Sequence, residues 1–333
     1  MRHGVGIAAA AAALALALTG AAAGAARAAP PPDLSGLWSN GSLTTLERPK
    51  DLKALVLTEA EAAAYEAKRR GKPPEIEDDV GGADSEWWEL DHGLGRVRGQ
   101  ARTSWIVSPA DGKLPFNAAA KAVNTARMAG RKGPTNNPEE RGRTDRCLPG
   151  TAAGPPMLNG VYNNNYTFVQ TREALVIHAE YFSDLRIVRL EPGAKHPPPA
   201  VRRWLGDSIG RWEGATLVIE TTNFTPLEVD APPGGDPAAD MVVTERLTRL
   251  GPTQLHYAFT VRNPARFVMP WQGEMVMQTA AGPMFEYACH EGNYSMTSML
   301  AAARQAEAAA KAAGATAKAA GAASEGTPGP SAR

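Results

Sequence analysis

The sequence predicts a mainly β protein: an antiparallel barrel or sandwich with a few peripheral helices and a C-terminal helix. Three observations carry this. From Asn163 onward the chain is a succession of short β-branched and aromatic runs, "NYTFVQT", "ALVIHAEYF", "RIVRL", "ATLVIETTNF", "MVVTERLTRL", "QLHYAFTV", "GEMVMQT" and "MFEYACH", separated by turn residues. About eight such runs favour a barrel or a sandwich. Leu255, Tyr257, Phe259 and Val261 alternate with His256, Thr260 and Arg262, so one face is expected buried and the other wet. Setting both ends of the chain aside leaves on the order of 270 residues, a size that one β domain reaches.

Taken in order, residues 1–28 read as a secretory signal: Arg2 and His3 precede an apolar run from Ile7 to Leu18, and Ala26-Arg27-Ala28 supplies small residues for cleavage. The run is too short to span a bilayer, and no later stretch approaches the roughly 20 apolar residues that spanning requires. "DLSGLWS", Asp33 to Ser39, opens the folded domain (29–299) as a strand with Trp38 as a plug for a barrel end. Thr58 with Glu61 three residues on is a capping box, starting a helix that runs to about Arg70. "GKPPEIEDDVGGADSEWWELDHG" is expected as a surface excursion, with Trp87 and Trp88 resting on something, or folding over the barrel mouth as a lid. "RTSWIVS" reads as a strand, "PADGKLP" as a turn, "FNAAAKAVNTARMAG" as a helix ended by Gly130, and "RKGPTNNPEERGR" as a solvated loop. The main strand run is 163–291. Asn293 is a candidate N-cap for a closing helix, and 300–333 pass from an Ala-rich helix into a Gly, Ser and Pro tail expected to be disordered.

Lys and Arg total 35 against 35 Asp and Glu, a formal net charge of 0, so no global field recruits phosphates and nucleic acid is not an expected partner. The two cysteines, Cys147 and Cys289, are expected to pair in an exported protein, closing a long loop worth about 4 to 5 kcal/mol in the chain-entropy model, with two separate buried thiols as the alternative. Cys289 alternates with Phe285, Tyr287 and Glu291, which suits a half-cystine at the end of a last strand.

The blocks "DLSGLW", "DRCLPG", "GDSIGRWEGATLVIETTNF", "TERLTRL" and "FEYACHEGNYSM" resemble an uncharacterised family of secreted bacterial proteins over most of the mature chain. That resemblance implies a fold and a periplasmic or secreted location rather than a mechanism. Gly36-x-Trp38 and the pair "WEGATLVIETTNF" and "LTRLGPTQLHYAFTV" are also similar to calycin-type barrels, the lipocalin and fatty-acid-binding architecture.

Several motifs fail on context. "GDSIG", Gly206 to Gly210, matches a nucleophile elbow, but "RWEGATLVIETT" reads as a turn and a strand where the elbow needs a helix, so a tight Asp-Ser turn is expected. "HAE" at His178 to Glu180 lacks the Pro-Cys-x-x-Cys half of the zinc deaminase signature, and His290-Glu291 lacks a second histidine, because Tyr294 stands there. No metal or cofactor is expected.

One cluster stands out. His178, Glu180, Asp184 and Arg186 fall on or between adjacent strands, and if their face lines a barrel interior, desolvation and pairing would tune them for acid-base work. If that face is outside, His178 is a surface residue. Glu245 alternates with Met241, Val243 and Leu247, so it needs a partner, with Arg146, Arg186, Arg202, Arg203 and Arg211 as the choices. Trp38, Trp204, Trp212, Trp271, Tyr166, Met269 and Met275 either line pocket mouths or seal a core.

The leading expectation is an exported barrel that binds a small, largely apolar or aromatic ligand in an internal pocket, touched by Glu245, Tyr257, Trp204, Trp212 and Arg211. The alternative is a cofactor-free lyase, isomerase or hydrolase with His178 as base, Glu180 or Asp184 orienting it and Arg186 stabilising an oxyanion. A third is an envelope structural or interaction protein using the acidic loop and the tail.

Overall fold

A computed structural model describes residues 30–69, 89, 92–130, 136–141, 144–148, 154–225 and 240–325. The stretch expected as a signal, the Trp87-Trp88 stretch and the extreme C-terminal tail lie outside the described residues.

The strands and helices, in chain order, are β1 (Gly36–Ser39), β2 (Val56–Leu57), α1 (Glu59–Arg69), β3 (Arg96–Val97), β4 (Gln100–Arg102), β5 (Ile106–Ser108) and α2 (Ala118–Gly130). There follow β6 (Asn165–Gln170), β7 (Ala174–Ala179), β8 (Leu185–Arg189), β9 (Asp207–Glu213), β10 (Thr216–Thr222), β11 (Val242–Arg249), β12 (Gln254–Arg262) and β13 (Trp271–Thr279). The C-terminal helix is α3 (Tyr294–Glu325).

β6 to β13 are neighbours in sequence order, and β1 pairs with both β6 and β13. That double pairing decides barrel over sandwich: nine strands close into a ring. Closure leaves no free edge in the ring, which removes the usual template for edge-to-edge aggregation. Every ring pair is antiparallel except β8 with β9, where Val188 faces Ser208 and Arg189 faces Ile209. The segment 190–206 makes this parallel connection, with Leu190 and Leu205 packed against the core.

Period-two alternation explains what fills the ring. Leu255, Tyr257, Phe259 and Val261 all point inward and are buried, together with Phe168, Leu175, Ile177, Val188, Leu217, Ile219, Val243 and Leu247. Each such side chain contributes about 1.5 to 3 kcal/mol on leaving water. Trp38 is the plug its position suggested, with no exposed surface and its indole N–H donated to Leu34 O at 2.9 Å. Gly273 faces Phe259 across the β12–β13 ladder, where a Cβ would stand 2.3 Å from the ring. Glycine is required there by space.

The outer face of β12 and β13 is covered at His256 and Val276, whereas Arg262, Gln272 and Gln278 are exposed. Trp105, also fully buried, joins the same core, and the small sheet β2-β4-β3 contributes Arg102, which forms an ion pair with Glu274. His256 Nε2 lies 3.3 Å from the other Glu274 oxygen, and these contacts hold that carboxyl below the usual range against the upward push of burial. His256, expected on the wet face, is therefore buried.

The capping box at α1 is formed: Thr58 N–H donates to Glu61 Oε2 at 2.9 Å, and Glu61 N–H to Thr58 Oγ1 at 3.3 Å. α2 starts behind Asn117, whose Oδ1 accepts from Ala120 N–H at 2.8 Å. Asn293 caps α3 similarly, its Oδ1 accepting from Met296 N–H at 3.4 Å. No described helix is long and apolar enough to cross a membrane.

Two strand expectations are corrected. "GDSIGRWEG" is not a turn but β9, with the reversal displaced to Gly214 at φ 60°. "MFEYACH" is not a strand: 284–288 are irregular, because every strand of the closed ring already has two neighbours and Phe285 N–H donates to Glu180 Oε1 at 3.0 Å instead. Cys289 nevertheless bonds Cys147, with Cα atoms 5.8 Å apart, tying the polar loop to the segment before α3.

Candidate functional site

Inside the ring lies a buried polar layer. Arg186 grips Glu245 with both Nη groups, Nη1 to Oε2 at 2.7 Å and Nη2 to Oε1 at 2.9 Å. Tyr257 Oη donates to Glu245 Oε1 at 2.6 Å and accepts from Met157 N–H at 3.0 Å. Asn40 Nδ2 extends the chain to Tyr166 Oη and Met157 O, both at 3.3 Å. Burial alone would pull the Arg186 guanidinium down, and the Glu245 carboxylate outweighs it and raises it. Burial and then the same carboxylate push the Tyr257 hydroxyl well up, so it stays a donor. Of the five arginines that could have met Glu245, β8 supplies Arg186.

The four residues expected to act together do not converge. Burial along β7 alternates with Leu175, Ile177 and Ala179 inward, which puts His178 on the outer face with Val176. Glu180 is buried at the rim and engaged, its Oε2 accepting from Asn165 Nδ2 at 2.7 Å and its Oε1 from Phe285 N–H. Asp184 is half-buried, with Oδ2 lacking a hydrogen-bond partner, and desolvation pushes its carboxyl up to about 6. Arg186 is committed to Glu245. An oxyanion role for Arg186 beside a His178 base is therefore corrected by geometry: the two alternate to opposite sides of the sheet.

Between Glu180 and Asp184 the chain turns through Phe182 at φ 61° and Ser183 at φ 51°, a left-handed stretch that costs energy in non-glycine residues. Phe182, Tyr181 and Tyr287 hold one another here, with ring centroids 4.5 to 5.2 Å apart. This knot packs the 284–289 segment over the rim.

The aromatic candidates divide. Trp38, Tyr166, Trp271 and Met275 seal the core, whereas Trp204 and Met269 are exposed. Ring side chains occupy much of the interior, and two open concavities reach the surface, one beside β9 and one at the β1–β13 seam.

One of these concavities, about 630 Å³, runs beside β9 under the 190–196 segment. Trp212 and Arg211, both expected at a ligand site, line it with Leu190, Ile209, His196 and Glu220. Trp212 is half-buried against the core, and Arg211 is exposed and paired with Glu213 at 2.7 Å. His196 Nδ1 lies 2.7 Å from Asp207 Oδ2, which also accepts from Arg189 Nη2 at 2.7 Å. An ionised Asp207 can only accept, so Nδ1 carries the proton. The other nitrogen, Nε2, is buried without a hydrogen-bond partner, 3.5 Å from Glu220 Oε1. His196 and Asp207 escaped the sequence reading because "KHPPPA" looks like linker and "GDSIG" like a turn.

A second concavity of about 570 Å³ opens where β1 ends beside β13, lined in part by Ser39, Ser42, Glu89, His92 and Gln278. Among the described residues, no three His, Cys, Asp or Glu side chains converge as metal ligands.

Comparison with protein-family models, curated proteins and solved structures finds no match for this chain, so the likenesses drawn from its motifs extend only to a closed β-barrel.

Proposed function

We propose that the protein is a ligand-binding barrel that works outside the cytoplasm and takes a small, largely apolar or aromatic molecule in the groove beside β9. The observation that carries this reading is the joint presence of Trp212 and an unsatisfied, oriented His196 in one groove of about 630 Å³. Small-molecule sites span roughly 300 to 1,000 Å³ and combine apolar walls with a few convergent polar groups. Trp212, Leu190 and Ile209 form the apolar wall, and His196 Nε2 is the polar anchor, without a hydrogen-bond partner and 3.5 Å from Glu220 Oε1. An unpartnered buried polar atom costs about 1 to 3 kcal/mol, which a complementary ligand returns as affinity and selectivity. The disulfide fits an oxidising compartment.

The test is a thermal-shift and tryptophan-fluorescence screen of small aromatic compounds against the full chain. A true ligand at a hundredfold excess over its Kd stabilises the fold by about 2.7 kcal/mol. Trp212→Ala should weaken that ligand at least tenfold while the protein still folds, at a lower melting temperature because Trp212 also packs on the core. Equal binding by Trp212→Ala, or no compound that shifts the wild type, defeats the reading.

A further inference from the structure

We propose that Glu89 and His92 form a general-base pair in the groove at the β1–β13 seam, acting on small polar esters by activating water. This site is independent of the β9 groove. Its geometry starts from Glu89, which is held at both oxygens: Oε1 accepts from Asn164 N–H at 3.1 Å, and Oε2 accepts from Asn164 Nδ2 at 3.0 Å. His92 Nε2 lies 3.0 Å from the same Oε2. Burial pushes the Glu89 carboxyl up, but the contacts from His92 and Asn164 outweigh it and hold the group below the usual range. A carboxylate so held can only accept, so His92 donates through Nε2 and keeps its lone pair on Nδ1.

Space is reserved for this pair. A Cβ on Gly41 would lie 2.5 Å from His92 Nε2 and 2.7 Å from Glu89 Oε2. The φ of Gly41 is not in the left-handed region, so backbone freedom does not demand glycine there. A methyl there would instead displace the ends of the His92 and Glu89 side chains. Base, orienting carboxylate and a further group fixing that carboxylate are the components of an activated proton acceptor. The hydroxyls and amides of Ser39, Ser42, Asn165, Gln278 and Thr279 line the same groove and suit a small polar substrate.

The step balances without a cofactor. Nδ1 takes a proton from water as the water oxygen bonds the acyl carbon. The bond from that carbon to the leaving oxygen then breaks, and the imidazolium returns its proton to the leaving alkoxide. Glu89 stays ionised throughout and opposes the charge that forms on the ring, so it is a positioning residue and His92 the catalytic one.

The experiment uses the full chain with p-nitrophenyl acetate near neutral pH. Wild type should release p-nitrophenolate well above buffer, and His92→Ala should lose at least tenfold of that rate, within the range of general acid-base contributions. Glu89→Gln should lower kcat with KM unchanged. His290→Ala, an exposed histidine that lines neither groove, controls for adventitious imidazole and should match wild type. If His92→Ala fails to fold, Gly41→Ala drives a methyl into the pair and should abolish turnover with the fold retained. A wild-type rate no faster than buffer, or a His92→Ala or folded Gly41→Ala rate equal to wild type, overturns the proposal.

Discussion

Arg186 and His196 lie close together in the chain, yet one faces the inside of the barrel wall and the other its outside. Arg186 has both Nη groups on Glu245, which in turn accepts from Tyr257, so the interior charge is closed on itself. His196 has one nitrogen on Asp207 and leaves the other without a hydrogen-bond partner, facing an open groove. The difference teaches where function can be placed on this fold. A buried charge must be matched by the protein, because desolvation of an unpaired ion exceeds anything packing returns. A groove residue can be left for a ligand, because one neutral nitrogen without a hydrogen-bond partner costs only about 1 to 3 kcal/mol.

The largest expected effect tests the closed side. Glu245→Ala strands the Arg186 guanidinium in the core and should lower stability by about 3 to 5 kcal/mol in urea denaturation. The double variant Arg186→Met with Glu245→Leu sharpens this, since replacing a whole buried pair by apolar groups is often neutral or stabilising. If the double variant is as unstable as the single, the network does more than satisfy itself, and the interior returns as a candidate site.

The next effect tests the open side. His196→Ala should reduce affinity for a groove ligand by about tenfold, near 1.4 kcal/mol, with stability changed by less than that. A loss of stability larger than the loss of affinity would place His196 with Arg186 as a structural group.

Asp184, at the end of the turn between β7 and β8, gives the smallest effect. Its folded-state value of about 6 lies above the unfolded one, so the folded state holds the proton more tightly. The favourable contribution of the neutral carboxyl is present below about pH 4 and is lost as pH rises through about 6. Asp184→Asn should flatten that decline and raise stability at neutral pH by about 1 kcal/mol, less than full linkage because the carboxyl is partly exposed. A decline that persists unchanged in Asp184→Asn assigns it to another group.

Much of the fold was legible because alternation is a local property. The runs at 165–170, 174–179, 242–249 and 254–262 are strands within a residue or two of where β-branched and aromatic residues cluster. β9 was hidden because Gly206 and Gly210 punctuate it like a turn, although Gly210 is there for room: a Cβ would stand 2.6 Å from Leu190 Cδ2. The run at 284–290 misled in the opposite sense, since its composition is strand-like and only ring closure denies it a partner. At the candidate site, Trp212 and Arg211 were legible as a ring and a charge at a strand end. His196, Asp207, Glu89 and His92 were not, because each owes its role to a partner brought near by the fold and sits in a stretch that reads as loop.

By itself, then, the sequence determined the class of structure, the capped helices, the cysteine pair and the need of Glu245 for a cation, all of which follow from periodicity, local hydrogen bonding or the cost of burying charge. Only the tertiary structure decided that β1 closes the ring, that Arg186 is the cation and that His178 looks outward. Those outcomes depend on the register of strands distant in sequence, where a shift of one residue exchanges inside for outside.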